Sequence, residues 1–326
     1  MNYFREGFGP LLRMALLAAL GSVPLTPAPA EGADEVLLFS FFRGNGEAGL
    51  YLAWSEDGLN WEEIKPDHVW LAPKVGDSKL MRDPCIMAGP DGLFHLVWTP
   101  GWHERGIGYA TSPDLIHWSE QQYIPVMAHE ETARNAWAPE IFYDADSGQY
   151  VLFWATTIPG RFPETQGQGD GEYNHRMYYT ATKDFVTFAD TQLFYDPGFN
   201  VIDSTVVKDG STYVMFLKNE TLNPEEKNIR VATAPAITGP WGEASPKITG
   251  DYWAEGPSAV RWGDHWYVYF DKYRKHAYGA VRSGDLKEWE DVSGQLAMPE
   301  GIRHGTAFTA PREVLAALQA HGAPAE

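Results

Sequence analysis

Residues 252–262 read Tyr-Trp-Ala-Glu-Gly-Pro-Ser-Ala-Val-Arg-Trp. A carboxylate, Glu255, stands between an aromatic, Trp253, and a Gly-Pro pair, and an apolar run follows. Proline has no N–H to give to a sheet ladder, so Pro257 fits the start of a strand, with Glu255 held at the strand's mouth by a stiff turn. The same grammar returns in MRDPCI at 81–86, WAPEIF at 137–142, VIDSTVV at 201–207 and IRHGTAF at 302–308. Each puts a polar or acidic residue at the head of a short apolar or β-branched strand. A single segment of this kind is an acid capping a strand; five at comparable places are an internal repeat.

Between these heads lies a second recurring unit, a strand followed by a tight turn and a closing aromatic. It appears as LYLAWSEDGLNW at 50–61, IGYATSPDLIHW at 107–118, MYYTATKDFVTF at 177–188, IRVATAPAITGPW at 229–241 and YGAVRSGDLKEW at 278–289. Hairpins with Gly-containing turns precede it, as in IMAGPDGLFHLVW at 86–98 and VVKDGSTYVMFLK at 206–218. Each repeat is therefore about four antiparallel strands, and five such repeats predict an all-β, five-bladed β-propeller. A long sandwich has no reason to carry one turn–aromatic unit per repeat. The first repeat lacks an acid-headed inner strand and the last has one strand too many. The strand at 302–308 is thus expected to complete the blade that begins at Val36 and to close the ring. Pro311–His321 reads as a short helix ending at Gly322.

The first 30 residues read differently. Arg5 and Arg13 precede the apolar run Met14–Leu20, and Ala28 and Ala30 form an A-x-A site before Glu31. That is the pattern of a cleavable signal peptide over 1–30, cut near Ala30, which predicts a secreted or periplasmic protein with one propeller domain over 31–326. No later stretch is apolar for long enough to span a bilayer, so no membrane partner is expected. The formal net charge of −19 disfavours nucleic acid, whose phosphates need a basic footprint. A neutral substrate fits better. The one cysteine, Cys85, has no internal disulfide partner and is expected to be a buried thiol. The insert 158–175, rich in Gly, Gln and acidic residues, is a candidate for the rim of a pocket.

Inner strands of all blades line one channel, so the strand heads bring Asp83, Glu140, Asp203, Glu255 and His304 around one mouth. Several carboxyls in one pocket cannot all ionise cheaply, which pushes their pKa values apart and allows one to act as acid and another as base. Trp137, Trp253 and Phe199, with Trp102 near them, offer flat faces suited to sugar rings.

The motifs RDP at 82–84, WAPE at 137–140, IDST at 202–205, EGP at 255–257 and RHGT at 303–306 resemble those of glycoside hydrolase family 43, and the resemblance covers residues 36–310. It implies Asp83 as general base, Glu255 as general acid and Asp203 as the residue that tunes and orients the acid. It also implies His304 at the propeller axis, often beside a calcium ion; the chemistry itself requires no cofactor. Trp137, Glu140, Trp253, Phe199 and Arg303 are expected to bind substrate. The implied reaction is inverting release of a pentose, α-L-arabinofuranosyl first, from plant-type polysaccharides or oligosaccharides. Glu140 stands where the family more often has Asp, and Ser204 where it usually has Pro, so β-xylosidase and galactosidase or galactofuranosidase activities stay open. A carbohydrate-binding propeller would share the fold and aromatics without needing a separated acid and base. A zinc hydrolase built on His95 and His103 lacks a recognisable ligand spacing. The invertase-type families need an N-D-P-N strand and a Glu-Cys acid, and Gly256 follows Glu255 here.

Overall fold

The computed structural model describes residues 34–322, so the leader at 1–30 lies outside the described residues. The chain forms five antiparallel sheets. The first is built from β1 (Glu35–Phe42), β2 (Tyr51–Ser55) and β3 (Glu62–Glu63). The second holds β4 (Arg82–Ala88), β5 (Phe94–Thr99), β6 (Ile107–Ser112) and β7 (Gln122–Ile124), and the third β8 (Trp137–Asp144), β9 (Gln149–Thr157), β10 (His175–Thr182) and β11 (Gln192–Tyr195). The fourth has β12 (Val201–Asp209), β13 (Thr212–Asn219) and β14 (Asn228–Ala234). The fifth has β15 (Glu255–Trp262), β16 (His265–Lys272), β17 (Ala277–Ser283) and β18 (Glu290–Asp291). β19 (Arg303–Pro311) returns to β1, antiparallel, from Glu35 opposite Pro311 to Phe42 opposite Arg303. The ring closes as the repeat count predicts, and both ends of the propeller chain are tied into one sheet. The inner strands neighbour one another in the cyclic order β4, β8, β12, β15, β19.

The strands are apolar runs because both faces of each blade are covered. On β13, Val214 and Phe216 point toward the fifth blade, where they meet Val268 and Phe270, while Met215 and Leu217 point back to Val151 and Phe153 of the third. Period-two alternation, which elsewhere separates core from solvent, here separates one neighbouring blade from the other. The same holds around the ring, giving five hydrophobic clusters, each between consecutive blades.

The turn–aromatic unit is a hydrogen-bonded device. Ser112 Oγ accepts the N–H of Leu115 at 2.7 Å, and Asp114 Oδ1 accepts those of Ile116 and His117 at 2.9 and 2.7 Å. Ser55 with Asp57, Thr182 with Asp184 and Ser283 with Asp285 repeat it. These side chains satisfy backbone donors that a tight turn leaves free. The fourth blade has Ala234 and Ala236 at those two places, and Pro246 farther on lacks an N–H. Its outer edge is correspondingly irregular: Gly242, Ser245 and Ile248 donate singly to Thr233, Val231 and Ile229, and this blade has three strands rather than the expected four. The helix α1 (Arg312–Ala320) buries Leu315 and Leu318 against the cluster between blades one and two. Cys85 is a buried free thiol.

Candidate active site

Every inner strand begins with a bulge at the same rung. Arg82, Trp137, Ile202, Glu255 and Arg303 each pair with a partner strand, and the next paired rung in line with it lies three residues on, against two on the partner. The residue after each of the first four has a left-handed backbone: Asp83 (φ 52°), Ala138 (φ 45°), Asp203 (φ 47°) and Gly256 (φ 58°). A bulge re-aims side chains at the rim of a sheet, and Asp tolerates this conformation better than most residues. At Gly256 only glycine fits, since a Cβ would come within 2.4 Å of the His304 ring.

This register sorts the strand-head residues. Asp83, Asp203 and His304 are equivalent, Glu255 lies one residue before them, and Glu140 lies two residues beyond. Glu140 therefore belongs to a deeper layer with Cys85, Thr205, Ser258 and Thr306. It accepts the Thr205 hydroxyl at 2.8 Å and the Thr306 hydroxyl at 3.5 Å. Burial raises its pKa to about 7, against the opposing hydroxyls and His304.

The mouth of the channel is a pocket of about 380 Å³ that gathers Asp83, Asp203, Glu255, His304 and Arg303, with Trp102, Trp137 and Tyr173 among its walls. A larger cleft of about 570 Å³, between the outer parts of blades four and five, brings Glu243, Lys247 and Lys287 together but no paired acids. The clustered carboxyls are at the axis.

Asp83 Oδ2 accepts the Thr99 hydroxyl at 2.8 Å, and that same Oγ1 accepts the Ala138 N–H at 2.8 Å, so the bulges of blades two and three brace one another. His304 Nδ1 lies 3.4 Å from Asp83 and 4.0 Å from Asp203. Burial acts against its imidazolium, yet Asp203 and Asp83 outweigh it and leave its pKa raised. Burial also pushes Asp203 up to about 6, with His304 and Lys218 opposing and Glu255 and Asp83 adding to the rise. Asp203 Oδ2 accepts the Gly256 N–H at 3.0 Å, so its hold on the neighbouring acid runs through the backbone of the bulge. The Glu255 side chain is gripped instead by Lys218 Nζ at 3.1 Å and Arg303 at 3.4 Å, and Arg303 also donates to Asp271 at 2.7 Å.

Three residues expected to bind substrate lie outside the pocket wall. Glu140 is beneath it, for the reason of register above. Phe199 packs on the cluster between blades three and four, with the Arg230 guanidinium 5.4 Å over its ring. Trp253 is flanked by Arg274 at 4.2 Å and Lys227 at 5.5 Å, and its neighbour Tyr273 takes the wall position. Trp137 and Arg303 do line the pocket, and the 158–175 insert contributes Asp170, Tyr173 and His175 to it. Lys218, Glu220, Thr99 and Tyr273 escaped the sequence reading. The one available signal was Lys218 and Glu220 at the end of an apolar strand, where charge is rarely buried without a partner. Among the described residues no group of three or more His, Cys, Asp or Glu side chains is arranged to hold a metal. Nor, among them, is any helix long and apolar enough to cross a membrane.

Residues 34–313 match the family described as "Probable glycosyl hydrolase domain", a group related to glycoside hydrolase family 43. Over 200 residues the chain is 28% identical to an alpha-L-arabinofuranosidase of Bifidobacterium longum subsp. longum, an alignment covering 52% of this chain and 18% of that relative. The chain thus spans less than a fifth of that protein's length. Among solved structures it is similar to an alpha-L-arabinofuranosidase from Lactobacillus brevis, with TM-score 0.50 and 18% identity over 65% of this chain and 72% of that one. It is also similar to a thermostable family-43 glycoside hydrolase, with TM-score 0.51 and 15% identity over 69% and 78%. At these identities the two structures speak for the fold.

Proposed function

The chain belongs to the family-43-related group of glycosyl hydrolases; from that premise we propose that it is a glycosidase that releases α-L-arabinofuranosyl units with inversion, using Asp83 as base and Glu255 as acid. The observation that carries this reading is the meeting of Asp83, Asp203 and Glu255 in one axial pocket. Asp83 and Glu255 stand on β4 and β15, which are not neighbours in the ring; β19 lies between them. Inversion needs the two carboxyls roughly 6.5–9.5 Å apart, to admit a water between base and sugar.

In the step itself, Asp83 takes a proton from water as the water oxygen bonds to the anomeric carbon. The bond from that carbon to the leaving oxygen breaks, and that oxygen receives the Glu255 proton. Thr99 and His304 hold the base in place. Asp203 fixes the bulge from which the acid projects and is a positioning residue. The arabinofuranosidase relative supports the choice of glycone, and Trp102 and Trp137 at the rim suit a sugar's apolar face. Any calcium at His304 would be held mainly by water.

The test is to follow hydrolysis of 4-nitrophenyl α-L-arabinofuranoside by proton NMR, beside β-xyloside, galactofuranoside and galactoside analogues. The β-anomer of arabinose is expected first. Appearance of the α-anomer first would sink inversion, and preference for another glycoside would replace the substrate.

A further inference from the structure

Lys218 is a fully buried lysine between two carboxylates. Its Nζ lies 3.1 Å from Glu255 Oε2 and 2.6 Å from Glu220 Oε2, the latter as an ion pair without good hydrogen-bond alignment. Its ammonium also sits 4.8 Å over the Tyr273 ring. Glu220 has a second cation, Lys227, which in turn reaches Asp170 on the insert at 2.7 Å. β13 delivers Lys218 opposite Ile202, one residue before the Asp203 bulge, so the lysine enters the pocket from the blade next to the acid's own.

We propose that Lys218 and Glu220 are positioning residues for the general acid: Lys218 grips Glu255, and Glu220 sets the strength of that grip by competing for the same ammonium. The inference rests on the reading of Glu255 as the acid. A lysine that pairs fully with Glu255 holds its carboxylate in the ionised form, which cannot donate a proton. A lysine drawn toward Glu220 releases it. The pocket needs Lys218 to fix the acid's position, and needs Glu220 to keep that fixation from disabling it. Glu255 is also faced by Arg303 and His304 from β19, Asp203 from β12, Asp271 from β16, Tyr273 beyond it and Tyr278 from β17. Of these, Asp203 and Tyr273 themselves feel Lys218, and Tyr273 also feels Glu220, so it is the opposite responses to the two changes together with the loss of the Glu220 effect in the double variant that report the shared ammonium.

The experiment measures kcat/KM against pH for Lys218→Met, Glu220→Gln and the double variant, on a disaccharide-type substrate with a poor leaving group. Neither single change leaves a buried charge alone. Without Lys218, Glu220 keeps Lys227 and Glu255 keeps Arg303; without the Glu220 charge, Lys218 keeps Glu255 and Lys227 keeps Asp170. The alkaline limb, where the acid loses its proton, is expected to move up by about one pH unit in Lys218→Met and down by a comparable amount in Glu220→Gln. In the double variant the Glu220 effect should vanish, since it acts only through Lys218. Limbs that stay put, or move the same way in both single variants, overturn the proposal. Glu255→Gln, measured alongside, separates the two ideas: if it loses no more on poor leaving groups than on nitrophenolate, the acid assignment fails and the grip on it becomes irrelevant.

Discussion

The mouth and the floor of the axial channel are built by the same five strands and differ in how they treat a carboxyl group. At the mouth, Asp83 and Glu255 are met by a hydroxyl, an imidazole and two cations, in a pocket open to a sugar. Two rungs down, Glu140 is bonded by threonine hydroxyls and lies beside a thiol, with the His304 imidazole acting on it only through space, and burial keeps its proton on to about pH 7. The lesson is that an acid at a strand head faces the open pocket or the buried floor according to which side of the bulge it falls on. A carboxylate with cations bonded to it is favoured in its charged form; one buried with only neutral groups bonded to it holds its proton more tightly.

The comparison predicts a graded series. Asp83→Asn removes the proposed base and should lower kcat by on the order of 10²–10⁴ on every substrate; retained activity would move the base elsewhere at the mouth. Glu255→Gln should cost about as much on oligosaccharides and far less on nitrophenyl glycosides, because nitrophenolate hardly needs a proton to leave. Equal losses on both would contradict a role in leaving-group protonation.

Glu140→Gln should leave kcat near wild type and change stability instead. The folded protein holds this proton more tightly than the unfolded chain does, so the penalty is absent below the ordinary carboxyl pKa and grows as pH rises through about 7. The glutamine variant should therefore gain on the order of 1–3 kcal/mol at pH 8 and nearly nothing at pH 4. Thermal melts at the two pH values check this, and a gap independent of pH would show that Glu140 is not a buried titrating group. The smallest effect belongs to the rim. Trp102 is 42% exposed and stacks on Arg82 at 4.1 Å. Trp102→Ala should raise KM for oligosaccharides roughly two- to tenfold with kcat little changed. A fall in kcat alone would place Trp102 nearer the chemistry than its exposure suggests.

Much of this was legible in the chain itself. The turn–aromatic unit and the hairpins recur often enough to count five blades, and the surplus strand at 302–308 foretold how the ring closes. The acids of RDP, IDST and EGP announced themselves because a charge at the head of an apolar strand has few places to go. Glu140 looked like a fourth member because WAPE also opens a strand. A sequence offset of three residues means little until the bulge fixes which of them pairs, and a change of register carries a side chain to another face and depth. Phe199 and Trp253 misled for a related reason: nearness to an acid in sequence says nothing about which face of a turn an aromatic takes.

Local pattern, then, determined the five-bladed ring, its closure and three of the acids at its mouth, because hydrogen-bond periodicity and turn chemistry are written within a few residues. The tertiary structure alone decided the rung at which each acid sits and what it meets there. Lys218 reaches Glu255 across 37 residues of chain, and Arg303 reaches it across 48. Such partners are chosen by how neighbouring blades pack, and charge acts through distance in space, which sequence spacing does not record.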